Sequence, residues 1–454
     1  MSMSMPPSLL PPVSSSGDLP PIPGEGLAWL RDMVARRHAA STILGRGALA
    51  TGELWQAHRL TSQAWRGGDW VHELDMVLPA RPTVSHGPML LWVGGGTSAE
   101  LPAAGTTIDE APRGVGWLAP LVAATGLPAA LVRQVPCQPL CGGMVEDDLV
   151  AHSFVEFVRS GERDWPLLLP MTAAVAAAMD IAGAVAGADR FRVEGFVLGG
   201  TSKRGWASWL AAAADDRVLG LVPAVIDMLR LERHVPLQLA TFGGRMSDRL
   251  DDYSSRGIEQ ILLTRRGREL IDVVDPWSHR AHLGQPKIVA LGTNDPYWPL
   301  GALDLYLDGL PGTTAVSYAP NAGHGIPGDR LPGLLTALLF HVAGSRPLPR
   351  LRWSFEPRPA GSLACLECDE TPAEIIAWQA SADGPDFRAA RWTPSPHRGA
   401  RDPAGGGWIV PLCPGGERWN AALVECRFDR LPHPLWLTTS VHRRPPVSLA
   451  SDSR

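Results

Sequence analysis

A serine, an aspartate and a histidine, set far apart along the chain, are of the types that run nucleophilic chemistry together. Ser202 lies in FRVEGFVLGGTSKRGW (residues 191–206), Asp295 in GTNDP and His324 in NAGHG. A neutral serine hydroxyl is a weak nucleophile. It needs a base to take its proton and a third group to fix that base in the right tautomer. In this division of labour His324 is the general base and Asp295 its orienting acid. The oxyanion is met by the backbone N–H of Lys203 and by one from Gly95, Gly96 or Thr97. That chemistry is acyl transfer to water through an acyl-enzyme, on an ester or an amide.

Each residue also has a plainer reading. Ser202 could be the N-cap of an ordinary helix. Asp295 could cap a helix starting near Pro299, and Asp227, one strand earlier, is a rival acid. His324 stands between two glycines, a poor place for a core histidine, whereas His152, His234, His279 and His282 read as surface or structural. Arg204, Trp206 and Trp298 are substrate-binding candidates. Lys203 and Arg204 fit a salt-bridged structural role as well as an anion site, and most of the 17 tryptophans fit packing.

The elements around these residues give the triad reading its weight. Val193 and residues 196–198 make a short apolar run, as expected of a strand covered on both faces. Gly199 and Gly200 allow a sharp turn, and Trp206, Trp209 and Leu210 then recur at helical spacing. The motif departs from G-x-S-x-G, with Arg204 at the second glycine position and Gly205 one later. Further strands are predicted over 54–65, 70–78, 89–93, 129–135, 218–226, 287–291 and 314–318. Helices are predicted over 26–37, 115–124, 146–159, 166–186, 299–310 and 330–342. The alternation argues an α/β fold: a doubly wound, mostly parallel sheet with antiparallel strands at its start. Ser202, Asp295 and His324 each follow a different strand, in the chain order nucleophile, acid, histidine of the α/β-hydrolases. All three then belong at the carboxyl edge of the sheet.

The chain divides into a Pro/Ser/Gly-rich leader at 1–25, an α/β-hydrolase-like domain at 26–346, a β-sandwich-like domain at 350–446 and a tail at 447–454. A cap insertion is expected at about 228–285. The formal charge of −5 and the lack of a basic run exclude a nucleic-acid partner. No segment reads as a transmembrane helix, and the N-terminus lacks the basic and apolar regions of a signal peptide, so a cytoplasmic setting is expected. Cys365 and Cys368 form a lone C-x-x-C without a second pair. Cys137, Cys141, Cys413 and Cys426 read as small apolar side chains. No metal or cofactor is expected. The partner is a small ester or a peptide.

Several separated blocks resemble the PhoPQ-activated pathogenicity-related proteins. They include Val135-Pro136-Cys137-Gln138-Pro139-Leu140, Glu146-Asp147-Asp148-Leu149, Asp275-Pro276-Trp277, Asn294-Asp295-Pro296-Tyr297-Trp298 and, most distinctively, Ser202-Lys203-Arg204-Gly205-Trp206. Trp378-Gln379-Ala380 and Asp386-Phe387-Arg388 extend the likeness, which covers roughly 54–446. The resemblance implies an α/β-hydrolase-like domain with a β-sandwich-like appendage. It also implies export, virulence regulation and resistance to membrane-active peptides. A non-catalytic binding or signalling protein on the same scaffold is the alternative.

Overall fold

The computed structural model describes residues 22–80, 84–358, 361–402, 405–412, 416–430 and 432–446. The expected leader up to residue 21, the tail at 447–454 and Cys413 lie outside the described residues.

Nine strands form the main sheet. They are β1 (Ala40–Ala48), β2 (Leu54–Trp65), β3 (Gly68–Leu78), β4 (His86–Val93), β5 (Ala129–Val132), β6 (Arg192–Thr201), β7 (Val218–Ala224), β8 (Lys287–Gly292) and β9 (Thr314–Ala319). Their order is β1-β2-β3-β5-β4-β6-β7-β8-β9. From β5 to β9 all pairings are parallel, and β1, β2, β3 and β5 pair antiparallel. The expected α/β fold class is therefore the observed one.

Successive residues of the central strands face opposite layers. In β4, Met89, Leu91 and Val93 enter one buried cluster, and Leu90 and Trp92 enter the other. In β6, Phe196 and Leu198 join the first cluster and Val197 the second. A strand buried on both sides has no polar alternation, which is why these runs are apolar throughout. Helices α1 (Gly26–Ala35), α4 (Leu168–Ala188) and α5 (Lys203–Ala214) contribute to the first cluster. Helices α2 (Arg113–Thr125) and α10 (Leu331–Val342) contribute to the second. Between these come α3 (Glu146–Ser160) and the cap helices α6 (Leu231–Thr241), α7 (Asp251–Ser254), α8 (Ile258–Ile261) and α9 (Arg265–Val274).

Two expectations need correction. First, α4 is long and apolar enough to cross a membrane by length and composition, with 21 residues and a mean hydropathy of 1.7, although 72% of that window is buried inside the fold. Second, residues 299–310 form only two 3₁₀ turns, Leu303–Leu305 and Leu307–Gly309. Gly301, at φ 87°, interrupts the chain before a helix can grow. Strand β1, outside the predicted set, is mostly exposed and lacks an apolar alternation.

The C-terminal part holds two antiparallel sheets. One contains β10 (Leu351–Arg358), β11 (Gly361–Cys368), β14 (Ala400–Arg401) and β15 (Trp408–Leu412). The other contains β12 (Glu374–Ala382), β13 (Thr393–Arg398), β16 (Trp419–Phe428), β17 (Leu435–Thr438) and β18 (His442–Arg444). Ala364, Leu366 and Val410 of the first share a buried cluster with Ala377, Val424 and Leu437 of the second. Cys365 and Cys368 sit on one strand at an odd spacing. They point to opposite faces and cannot converge on one ligand.

Candidate active site

Ser202 follows β6 directly and stands at the N-terminus of α5, with φ 55° and ψ −130°. A non-glycine residue there is strained by about 1–3 kcal/mol and is held only by its surroundings. Two such holds are visible. The Ser202 N–H donates to the Ala224 carbonyl of β7 at 2.8 Å. Gly200 and Gly205 let the strand end and the helix start touch: a Cβ on Gly200 would lie 2.8 Å from the Arg204 carbonyl carbon, and one on Gly205 2.7 Å from the Gly200 oxygen. The displaced second glycine thus serves the same close approach as in the commoner motif.

Arg204, the residue between, has a defined place. It is 8% exposed. Its guanidinium donates to both Glu146 carboxylate oxygens at 2.6 and 2.7 Å and to the Val135 carbonyl at 2.6 Å. It also packs on the glycine loop after β4, where a Cβ on Gly95 would lie 2.5 Å from Nη2. Lys203 Nζ reaches Glu146 at 2.7 Å and Asp147 at 3.2 Å. Burial disfavours the Glu146 charge, but the hydrogen bonds and charges of Arg204 and Lys203 outweigh it and hold the carboxyl far below the usual range. Gln138 completes the brace. Its amide donates to Glu146 at 2.6 Å and to the Gly96 carbonyl at 3.2 Å. Arg204, a substrate-binding candidate by sequence, is therefore committed to tying the serine elbow to the glycine loop.

Val93 pairs with Gly200 across the β4–β6 ladder, so Gly95 and Gly96 lie beside the elbow. The Thr97 N–H donates to Glu100 at 3.0 Å and is occupied. Among the described residues, the N–H groups of Gly95, Gly96 and Lys203 have no acceptor. These three are the open donors at the elbow.

Asp295 follows β8 and His324 follows β9. His324 Nδ1 lies 2.8 Å from Asp295 Oδ2 and 3.0 Å from Oδ1. Asp295 Oδ1 also accepts the Tyr297 N–H at 2.9 Å, so this carboxylate both shapes its own turn and holds the histidine. The Tyr297 ring lies against His324, tilted by 32° with centroids 4.1 Å apart. Tyr297 and Ser202 line one cavity. Among the described residues neither Ser202 Oγ nor His324 Nε2 has a hydrogen-bond partner. Asp227, the rival acid, faces elsewhere. Its Oδ1 accepts the Tyr306 hydroxyl at 2.8 Å, and burial pushes its carboxyl up to about 8.

From Met228 onward, residues of the segment expected as a cap line the same cavity as Ser202, among them Met228, Val235 and Leu262. Asp275, at the foot of α9, accepts the N–H groups of Arg230 at 3.1 Å and Leu231 at 2.7 Å, which latches the two ends of the insertion together. Trp206 and Trp298 both line the cavity, pinned through their indole N–H groups to the carbonyls of Val274 and Val225.

Two residues that sequence reasoning passed over support the acid and histidine loops from the C-terminal sheets. Asn294 Nδ2 donates to the carbonyls of Arg388 at 3.1 Å and Ala390 at 2.6 Å. Asn321 exchanges two hydrogen bonds with Trp392. Asn294 and Asn321 stand in the GTNDP and NAGHG stretches of the acid and the histidine, but only the folded chain gives them partners.

One curated protein similar to this chain is autocrine proliferation repressor protein A of Dictyostelium discoideum, 27% identical over 352 residues, spanning 72% of this chain and 69% of that one. Solved structures to which this chain is similar include acetyl xylan esterase 1 from Thermoanaerobacterium sp. (13% identity, 68% of this chain and 90% of that one, TM-score 0.46). Another is an acetyl xylan esterase from Paenibacillus sp. R4 (15% identity, 69% and 92%, TM-score 0.45). Residues 31–388 match the sequence family described as PhoPQ-activated pathogenicity-related protein, and the chain belongs to that family.

Proposed function

We propose that this protein is a serine hydrolase that transfers an acyl group from an ester or amide to water. The observation that carries the reading is the Asp295–His324 hydrogen bond, formed at the same sheet edge as the strained Ser202 elbow. In this mechanism His324 Nε2 takes the Ser202 proton as Oγ attacks the carbonyl, and later returns it to the leaving group. Asp295, on Nδ1, holds the tautomer and stabilises the imidazolium. The N–H of Lys203 at the start of α5, with that of Gly95 or Gly96, receives the oxyanion. Oγ and Nε2 come into register when substrate fills the cavity, as apo serine sites commonly tighten on binding.

A non-catalytic signalling role on this scaffold is the second reading. What favours it is the name of the Dictyostelium relative, a proliferation repressor. Turnover of a panel of p-nitrophenyl esters and aminoacyl anilides separates the two. The hydrolase reading expects activity that Asp295→Asn lowers by about 10³-fold or more and that Asp227→Asn leaves at the level of the unaltered protein. Activity lost with Asp227→Asn and kept with Asp295→Asn contradicts the assignment of the acid.

A further inference from the structure

The cavity beside Ser202 has a chemistry of its own. It is walled by Trp206 of α5, Ile226 and Met228 beyond β7, Val235 and Leu262 of the cap, and Trp298. Most polar side chains at its margin are engaged with one another or with the backbone; the His234 Nδ1–H, the Tyr297 hydroxyl and Ser202 Oγ are without a partner among the described residues. Lys203 Nζ is held by Glu146 and Asp147, and Asp147 also accepts the Tyr253 hydroxyl at 3.1 Å. Gln238 donates to the Tyr297 carbonyl at 2.7 Å and accepts the Ser247 N–H at 3.1 Å, which fixes the orientation of its amide. Its remaining N–H then points at His234 Nε2, 3.2 Å away, so that nitrogen must be the acceptor. His234 is 2% exposed, and burial keeps it neutral at ordinary pH by lowering its pKa to about 3. Among the described lining residues no side-chain charge is left free to recognise a charged group, and three scattered open polar atoms among apolar walls are too few to recognise a sugar.

Resting on the hydrolase reading, we propose that this cavity receives a short aliphatic group, of about three to four carbons, from the acyl side of the scissile bond. The size follows from the space. The cavity measures about 70 Å³, and an apolar cavity of roughly 150 Å³ holds a benzene ring. A short alkyl chain or a small aliphatic side chain fits, whereas a long fatty acyl chain or a sugar ring does not. Transfer of each methylene into such walls is worth roughly fourfold in binding. The cap supplies Val235 and Leu262, so the same insertion that closes the site also sets the length of the group.

The test uses the full chain and a series of alkyl fluorophosphonates in which the alkyl group is methyl, propyl or octyl. Phosphonylation forms a bond from Ser202 Oγ to phosphorus and expels fluoride, so its rate reads the cavity whatever the natural leaving group. The expected result is a second-order labelling rate on the order of tenfold higher for propyl than for methyl, and lower again for octyl. Val235→Phe, at a half-buried cap position, is expected to reduce the propyl-to-methyl ratio several-fold. Labelling of Ser202 at rates flat or falling from methyl to propyl overturns the proposed cavity occupant while leaving the hydrolase reading in place. Absence of labelling by every member overturns both. Parallel assays with butyryl p-nitrophenyl ester and valyl p-nitroanilide then distinguish a short acyl ester from an aminoacyl amide as the source of the group.

Discussion

Asn321 Nδ2 donates to the Trp392 carbonyl at 2.9 Å, and Asn321 Oδ1 accepts the Trp392 N–H at 2.8 Å. The pair joins the loop that carries His324 to a segment of the C-terminal sheets. Asn294, beside Asp295, is held by the same segment through Arg388 and Ala390. Arg388 continues the chain of contacts into the cap through Asp248 at 2.8 Å. The C-terminal part thus touches the acid loop, the histidine loop and the cap at once.

The first prediction follows from that grip. Asn321 has φ 60°, which glycine tolerates, so Asn321→Gly removes the side-chain bonds without adding backbone strain. The expected outcome is a fall in kcat of about tenfold with KM little changed, because a histidine slightly out of place loses transition-state alignment before it loses binding. Asn294→Ala is expected to act in the same direction. Steady-state kinetics on an ester substrate check both, and a rise in KM at unchanged kcat contradicts the positioning role.

A second prediction concerns Glu146. Removing its carboxylate leaves Lys203 and Arg204 buried without their shared partner. A fully buried pair broken in this way costs about 3–5 kcal/mol. The Glu146 side chain is 39% exposed, so solvent screens part of that, and Glu146→Ala is expected to lose about 1–3 kcal/mol in a denaturant titration. No change in midpoint contradicts the bracing role.

A third prediction is a pH dependence of stability. Burial raises the Asp227 carboxyl to about 8 and the Asp275 carboxyl to about 6. An unfolded aspartate ionises near pH 4. Between those limits the folded chain binds more protons than the unfolded one, so these groups make stability fall as pH rises from about 4 to 8 for Asp227 and from about 4 to 6 for Asp275. Asp227→Asn keeps an acceptor for Tyr306 and removes the proton. It is expected to flatten the slope of unfolding free energy against pH across 6–8, where Asp275 contributes little. An unchanged slope contradicts it.

Much of the candidate site was legible in the chain because its parts are punctuated locally. A glycine-flanked serine after an apolar run, and an aspartate and a histidine each at a later strand end, need only strand periodicity to be placed on one edge. What stayed hidden depends on partners distant in sequence. Arg204 reads as a cation available to ligand until Glu146, 58 residues away, takes both of its terminal nitrogens. Asn321 reads as a turn residue until Trp392, 71 residues on, pairs with it. The sequence favours Asp295 over Asp227 as the acid, and the folded chain adds the partners: Tyr306 for Asp227 and His324 for Asp295. The helix expected over 299–310 failed on a local term, the positive φ of Gly301.

The central claim is that Ser202 is a nucleophile. The most direct measurement is intact-protein and peptide mass spectrometry after treating the folded chain with a fluorophosphonate. The account predicts one covalent adduct, on Ser202, that disappears in Ser202→Ala and forms at least about 100-fold more slowly in His324→Ala. An unlabelled folded protein, or an adduct on another residue that persists in Ser202→Ala, contradicts it.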